Sequence, residues 1–108
     1  MYKPLPNSLT IQTSSVNGLG LFATENIPQA TNLGITHIKI DDTIIRTPLG
    51  GFINHADDPN CVKAELLANS YHGETFKKKW NLVTLRAIKK GEELTLKYTF
   101  YNIRVEFV

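Results

Sequence analysis

The chain has 108 residues, 42% of them hydrophobic, which fits one folded domain with a modest core and excludes a disordered chain. A formal net charge of +2 is too small to predict direct nucleic-acid binding, and the single cysteine, Cys61, excludes an internal disulfide and a cysteine-rich zinc site. No apolar run is long enough to span a membrane, and the first residues lack the apolar segment of a signal peptide. We therefore expect an intracellular protein that is neither secreted nor membrane-bound, with Cys61 as a small buried apolar group.

Taken in order, the chain predicts short β-strands after a Pro-rich arm at residues 1–7. Apolar and polar residues alternate in several short runs, whereas no window of about 12 residues shows helical periodicity. Strands are predicted at residues 8–13, 21–24, 35–40, 43–46, 62–67, 80–88 and 94–100. One alternative is left open at residues 64–68, which could instead form a helical turn. The prediction is a compact, mostly β domain.

Turn signals separate these strands. Asn17-Gly18 is the strongest two-residue hairpin signal, and a second glycine follows at Gly20. Aspartate, proline and asparagine together predict a tight turn at residues 57–60, and glycine predicts another at residues 89–92.

Several acidic, basic and histidine residues are expected to have structural rather than functional roles. Glu92 and Glu93 are interpreted as turn acidity, with one carboxylate bonded to backbone. The lysines at residues 77–79 are too few to indicate an interaction tail, so we place them in a solvated turn. His37 and His72 are expected at the surface or in turns.

The stretch over residues 50–61 concentrates polar groups at a bend. Two glycines at its start permit close backbone approach or a positive φ, and the two apolar residues that follow are too short an anchor for an ordinary helix. Asn54 and His55 come next, just before the predicted turn. They are either a buried asparagine that satisfies neighbouring backbone with His55 capping it, or a binding pair.

Three stretches, taken together, resemble one family. They are Asn17-Gly18-Leu19-Gly20-Leu21-Phe22-Ala23, then Phe52-Ile53-Asn54-His55 with Asp58-Pro59-Asn60-Cys61, then Lys90-Gly91-Glu92-Glu93-Leu94-Thr95-Leu96-Lys97-Tyr98. Each is weak alone, but their order and spacing resemble the SET domain of S-adenosylmethionine-dependent protein-lysine methyltransferases. The resemblance covers residues 10–101. It implies a single SET domain over residues 1–108, with a core at 8–101, built of several small sheets with a threaded C-terminal segment.

The resemblance also implies which residues bind the cofactor. Gly18, Leu19 and Gly20 match the loop that lies along the methionine part of S-adenosylmethionine, where glycine lets backbone groups reach the ligand. Asn54 and His55 match the pair that binds the amino acid and adenine portions of the cofactor.

The implied reaction is methyl transfer to a lysine ε-amine of a protein or peptide, with histones among the known targets of the family. Tyr98 matches the tyrosine whose hydroxyl lies beside the transferred methyl. A sulfonium methyl is already activated, so the resemblance implies no metal. The lysine must arrive neutral and aligned, and burial in an apolar channel lowers a lysine pKa.

The sequence departs from the family pattern in two ways. Ala56 stands where serine is usual, and residues 41–49 leave no room for the substrate-binding subdomain that many relatives insert. Such compactness resembles minimal SET proteins of viruses and bacteria, so the cytoplasm or a host nucleus is the expected compartment. A second subunit would complete the groove, and the apolar tail at residues 103–108 is compatible with a homodimer. The missing insert favours an alternative function, a non-catalytic SET-like protein-interaction module.

Overall fold

The computed structural model describes residues 4–40, 42–68 and 77–97. Within these ranges the elements are β1 Leu9–Thr13, β2 Leu19–Ala23, β3 Asn32–Ile40, β4 Thr43–Arg46, α1 Pro48–Phe52, β5 Asn54–His55, β6 Cys61–Ala68, β7 Lys77–Thr84 and β8 Glu93–Leu96. The predicted mostly β fold is confirmed. No helix in the described ranges is long and apolar enough to cross a membrane.

Strand β8 joins the two parts of the sheet. The strands follow the order β1-β2-β8-β6-β7-β3-β4, and β5 also pairs with β8. β2 runs antiparallel to β8, with Leu21 opposite Leu94, whereas β5 runs parallel to it, with Asn54 opposite Thr95. The sheet therefore brings together the three stretches that the sequence holds far apart. The predicted threading of the C-terminal segment falls beyond residue 97, outside the described residues.

The inward faces of the strands form one hydrophobic core. Leu94 and Leu96 are buried on one face of β8, as the predicted alternation requires. Cys61 is also in the core, where burial raises the pKa of its thiol to about 12, so it is the small apolar group expected. The buried core residues are Leu9, Leu21, Ala23, Ile27, Leu33, Leu49, Ile53, Cys61, Leu82, Ile88, Leu94 and Leu96.

Two strands correct the sequence prediction. Residues 64–68 belong to β6, so the helical-turn alternative is wrong, because β6 pairs with β7 along its whole length. β7 occupies Lys77–Thr84 rather than residues 80–88, and its lysines are paired into the sheet between β3 and β6 instead of lying in a turn. Ile88 lies beyond the end of β7, where it forms an isolated β-bridge with Ile27. Because Ile88 is buried, the alternation of apolar and polar residues runs past the end of the strand, and this is why the predicted strand extends to residue 88.

Helix α1 was not predicted because it is too short to show a periodicity. Thr47 caps it by accepting a hydrogen bond from Gly50 N at 3.4 Å, and Pro48 stands in the first turn, where its missing N–H costs little. Gly50 packs against β3, since a Cβ there would lie 2.5 Å from the carbonyl oxygen of Thr36. This confirms the close backbone approach predicted from the glycine pair.

His37 is not the surface or turn residue that the sequence analysis predicts. It lies in β3 opposite Arg46 of β4 and Trp80 of β7, with its ring 6.5 Å from the Trp80 ring in an edge-on arrangement. Burial, with help from the nearby Lys63 and Arg46 cations, lowers the pKa of His37 to about 4. His72 lies outside the described residues.

We expect Gly50→Ala to lower the free energy of unfolding by about 1–3 kcal/mol, because the added methyl overlaps a backbone oxygen that can move only with β3. Gly51→Ala is the matched control, since the nearest atom to its Cβ is Arg46 Nε at 3.6 Å and alanine favours a helix. Urea denaturation measures both. Equal stability of the two variants would contradict the close packing of Gly50.

We also expect His37 to make stability depend on pH. Its pKa is lower in the folded chain than its ordinary value of 6.5, so the unfolded chain takes up a proton first as the pH falls. The stabilisation is therefore complete above about pH 6.5 and is lost as the pH falls towards about 4. Urea titrations across this range should show a larger loss for the wild type than for His37→Gln. Equal losses of stability in the wild type and in His37→Gln would show that a group other than His37 causes the pH dependence.

Candidate functional site

The three stretches meet at the side-chain amide of Asn54. This residue is 8% exposed and begins β5. Its Nδ2 donates to the carbonyl oxygens of Asn17 and Leu19, each at 3.1 Å, and to Oε2 of Glu93 at 2.9 Å. One amide thus connects the β1–β2 turn, the central stretch and β8. Asn54 thus satisfies nearby backbone, which is one part of the structural interpretation, and its role in a binding pair with His55 stays a prediction.

The β1–β2 turn has the geometry that its sequence predicts. Gly18 has φ +47°, which places it in the left-handed region, and Ser14 N donates to its carbonyl oxygen at 2.8 Å. The hydroxyl oxygen of Ser14 accepts from Val16 N at 2.9 Å, which tightens the start of the turn. This turn leaves the carbonyl oxygens of Asn17 and Leu19 in reach of Asn54.

The two glycines of the turn are needed for different reasons. A Cβ at Gly18 would meet no atom within 4 Å, so space beside it is open. A Cβ at Gly20 would overlap Oε2 of Glu93 and would lie 3.0 Å from Nδ2 of Asn54. Gly20 therefore makes room for the protein's own carboxylate, and Gly18 leaves the outer side of the turn accessible.

Glu93 is the site residue that sequence reasoning missed. Its carboxylate accepts from the Ser14 hydroxyl at 2.8 and 2.9 Å, and from Asn54. The prediction that these two glutamates are acidic turn residues is confirmed for Glu92, whose Oε1 accepts a hydrogen bond from Lys89 N at 3.0 Å. It is wrong for Glu93. No local pattern could have found this, because Ser14 and Asn54 are 79 and 39 residues away along the chain.

Asn60 provides a second connection to β8, which sequence reasoning also missed. It is 2% exposed, and its Nδ2 donates to Glu92 Oε2 at 3.1 Å and to the Glu93 carbonyl oxygen at 2.8 Å. Its Oδ1 accepts from Thr95 N at 2.8 Å. Both ends of the amide are bonded, so Asn60 extends the hydrogen bonding of the sheet around β8. Its position directly after Pro59 in the predicted turn is the one signal that pointed to it.

His55 lies at the surface beside the end of β8. Its side chain is 40% exposed, and Nε2 lies 3.2 Å from Oδ1 of the exposed Asp57. The backbone of β5 places His55 opposite Leu96. Tyr98 lies outside the described residues. Within residues 4–40, 42–68 and 77–97, no group of three or more His, Cys, Asp or Glu side chains is placed to hold a metal ion.

We expect Gly20→Ala to lower the free energy of unfolding by about 1–3 kcal/mol, because the methyl must displace the Glu93 carboxylate from Ser14 and Asn54. Gly18→Ala is the control, since its methyl enters open space and only the positive φ costs about 1–2 kcal/mol. In a Glu93→Ala background the penalty of Gly20→Ala should shrink while that of Gly18→Ala persists. Urea denaturation measures all of them, and an unchanged Gly20→Ala penalty would show that the overlap is not with Glu93.

Comparisons with known proteins bear on the family and the fold of the chain. A family model described as the SET domain matches residues 36–99, which include Asn54, Asn60 and Glu93. No curated protein sequence matches this chain. The fold is similar to the crystal structure of a candidate histone methyltransferase from Plasmodium falciparum, with a TM-score of 0.69 and 19% identity over 84% of this chain and 96% of that one. Because the family model spans more than half of the sequence, the chain belongs to the SET domain family.

Proposed function

We propose that this chain is a protein-lysine methyltransferase that transfers a methyl group from S-adenosylmethionine to a lysine ε-amine. Membership of the SET family supports a methyltransferase. The observation that carries the proposal is the convergence on Asn54. The resemblance assigns the turn at residues 17–20 and β5 to the cofactor, and both meet β8, the strand that precedes Tyr98, at this one amide.

The residues around Asn54 fit S-adenosylmethionine. The carbonyl oxygens of Asn17 and Leu19 and the carboxylate of Glu93 make this region rich in acceptors and locally negative. Such a region suits a ligand that carries a sulfonium and an ammonium group. Open space beside Gly18 and the half-exposed Leu19 side chain leave the turn accessible to it.

In this proposal Gly18, Leu19 and Gly20 hold the methionine part of the ligand, and Asn54 and His55 bind its amino acid and adenine portions. When bound, S-adenosylmethionine supplies a methyl group that its sulfonium sulfur has already activated.

The chain must bring a neutral lysine into line with that methyl. The lysine nitrogen forms the new bond to carbon as the carbon–sulfur bond breaks, the electron pair passes to sulfur, and the nitrogen then releases a proton to water. Alignment of this kind contributes up to roughly 7–11 kcal/mol. The Tyr98 hydroxyl is assigned to the methyl, which it would orient through weak C–H···O contacts.

A basic peptide of histone type is the proposed substrate. The similar Plasmodium falciparum protein is a candidate histone methyltransferase. In this chain Asp57 and Asp58 are exposed beside His55, and complementary charge would attract a lysine-rich peptide to this side of the site. A second copy of the chain is the proposed source of the missing wall of the lysine channel.

A non-catalytic interaction module is the second candidate, and one observation favours it. Residues 41–49, where many relatives insert a substrate-binding subdomain, hold in their described part only the short strand β4 and the start of α1, with Thr47 between them. Such a module would bind a partner, with or without S-adenosylmethionine, and would transfer no methyl.

We expect Tyr98→Phe to bind S-adenosylmethionine like the wild type and to lose methyl transfer by about 100-fold, because only the hydroxyl that orients the methyl is removed. Transfer of labelled methyl to histones and to total cell lysate measures activity, and calorimetric titration measures cofactor binding.

Tyr71→Phe is the matched control, since it removes a hydroxyl that has no assigned role. Full transfer by Tyr98→Phe would contradict the role of Tyr98. Cofactor binding without any transfer by the wild type would favour the interaction module.

A further inference from the structure

We propose that Glu93 is a positioning residue, which orients the Asn54 amide and the turn at residues 17–20 to receive S-adenosylmethionine. This inference rests on the proposed function, because it names a residue that prepares the same site. Glu93 has no counterpart among the residues that the family resemblance assigns to the ligand. It stands in the third resemblance stretch without an assigned role, and the hydrogen-bond geometry points to one.

The first step of the argument is the chemistry of the group. An ionised carboxylate only accepts hydrogen bonds, so every polar group that faces it must donate. Ser14 therefore directs its hydroxyl hydrogen to Glu93 and keeps its lone pairs for Val16 N. Asn54 likewise presents its nitrogen to Glu93. The Glu93 carboxylate thus sets the orientation of two side chains, Ser14 at the start of the turn and Asn54 in β5.

The second step is that this network defines the turn. Val16 N donates to Ser14, Ser14 donates to Glu93, and Asn54 donates both to Glu93 and to the turn carbonyls. Hydrogen bonds connected in series strengthen one another, and removal of one member affects the rest. The turn is therefore held from both of its ends by Glu93.

The third step compares Glu93 with the salt bridges of the residues that the structure describes. The salt bridges among the described residues are His55–Asp57, Lys78–Glu65 and Arg86–Glu92, none of which involves Glu93. Both partners of Glu93 are neutral donors whose orientation it decides. Gly20 adds support, because the absence of a Cβ there is what lets the carboxylate reach this place.

The test uses the full chain and titrates S-adenosylmethionine into the wild type, Glu93→Gln, Asn54→Ala and the double variant. Glu93→Gln keeps the shape and weakens the charge-assisted bonds, so we expect affinity to fall by about tenfold while the thermal midpoint stays close to that of the wild type. In the Asn54→Ala background the same change should cost clearly less than tenfold, because Glu93 then has no amide to orient and acts on the turn only through Ser14. Glu92→Gln is the matched control and should bind normally.

Kinetics and spectroscopy separate positioning from general stability. We expect Glu93→Gln to raise KM for S-adenosylmethionine by about tenfold with kcat unchanged, because Glu93 contacts no reacting atom. In the free protein, the NMR signals of the Asn54 side-chain amide and of Gly18 and Gly20 should shift in Glu93→Gln and not in Glu92→Gln.

Each contrary result is decisive in a different way. Unchanged affinity in Glu93→Gln, or a full tenfold loss that persists in the Asn54→Ala background, would overturn the inference and leave the proposed function standing. No binding of S-adenosylmethionine by the wild type would overturn the proposed function. Unchanged NMR signals in Glu93→Gln would overturn the positioning role, whatever the ligand.

Discussion

Two asparagine side chains hold β8 in place, and the rest of the structure depends on that strand. Asn54 and Asn60 are both buried, and a buried amide is costly unless its donors are bonded. Asn54 reaches Glu93 at the start of β8, and Asn60 bonds the backbone of Glu93 and Thr95. The two amides are therefore satisfied only when the central stretch and β8 are both correctly placed.

Close backbone approach is the second constraint. Gly20 leaves space for the Glu93 carboxylate, and Gly50 lets α1 pack against β3. Gly20 thus acts where the β1–β2 turn meets Asn54 and β8, and Gly50 acts where the central stretch meets β3. The candidate site thus has a frame made of backbone and amides, beside which lie the half-exposed side chains of His55 and Leu19.

This arrangement connects the fold to the proposed chemistry. Methyl transfer requires alignment above all, because the sulfonium methyl is already activated. In the proposed reaction, a frame in which one carboxylate orients two donors, and one amide holds a turn, would supply that alignment.

Local patterns predicted most of the strands and turns. Alternation placed Leu94 and Leu96 on the buried face of β8, and Asn17-Gly18 predicted the turn that the structure shows. Local patterns were wrong where pairing decided the outcome. The lysines of β7 are strand residues because β3 and β6 flank them, and His37 is half-buried because Trp80 lies opposite it.

The sequence by itself determined the fold class, the family and the stretches that meet at the candidate site, because strand alternation, turn chemistry and motif order are local or ordered along the chain. Only the tertiary structure decided how those stretches act on one another. The role of Glu93 depends on Ser14 and Asn54, which are 79 and 39 residues distant in sequence. That role exists only once β8 pairs with β2 and β5, because a hydrogen bond requires partners within about 3 Å and sequence separation carries no such distance.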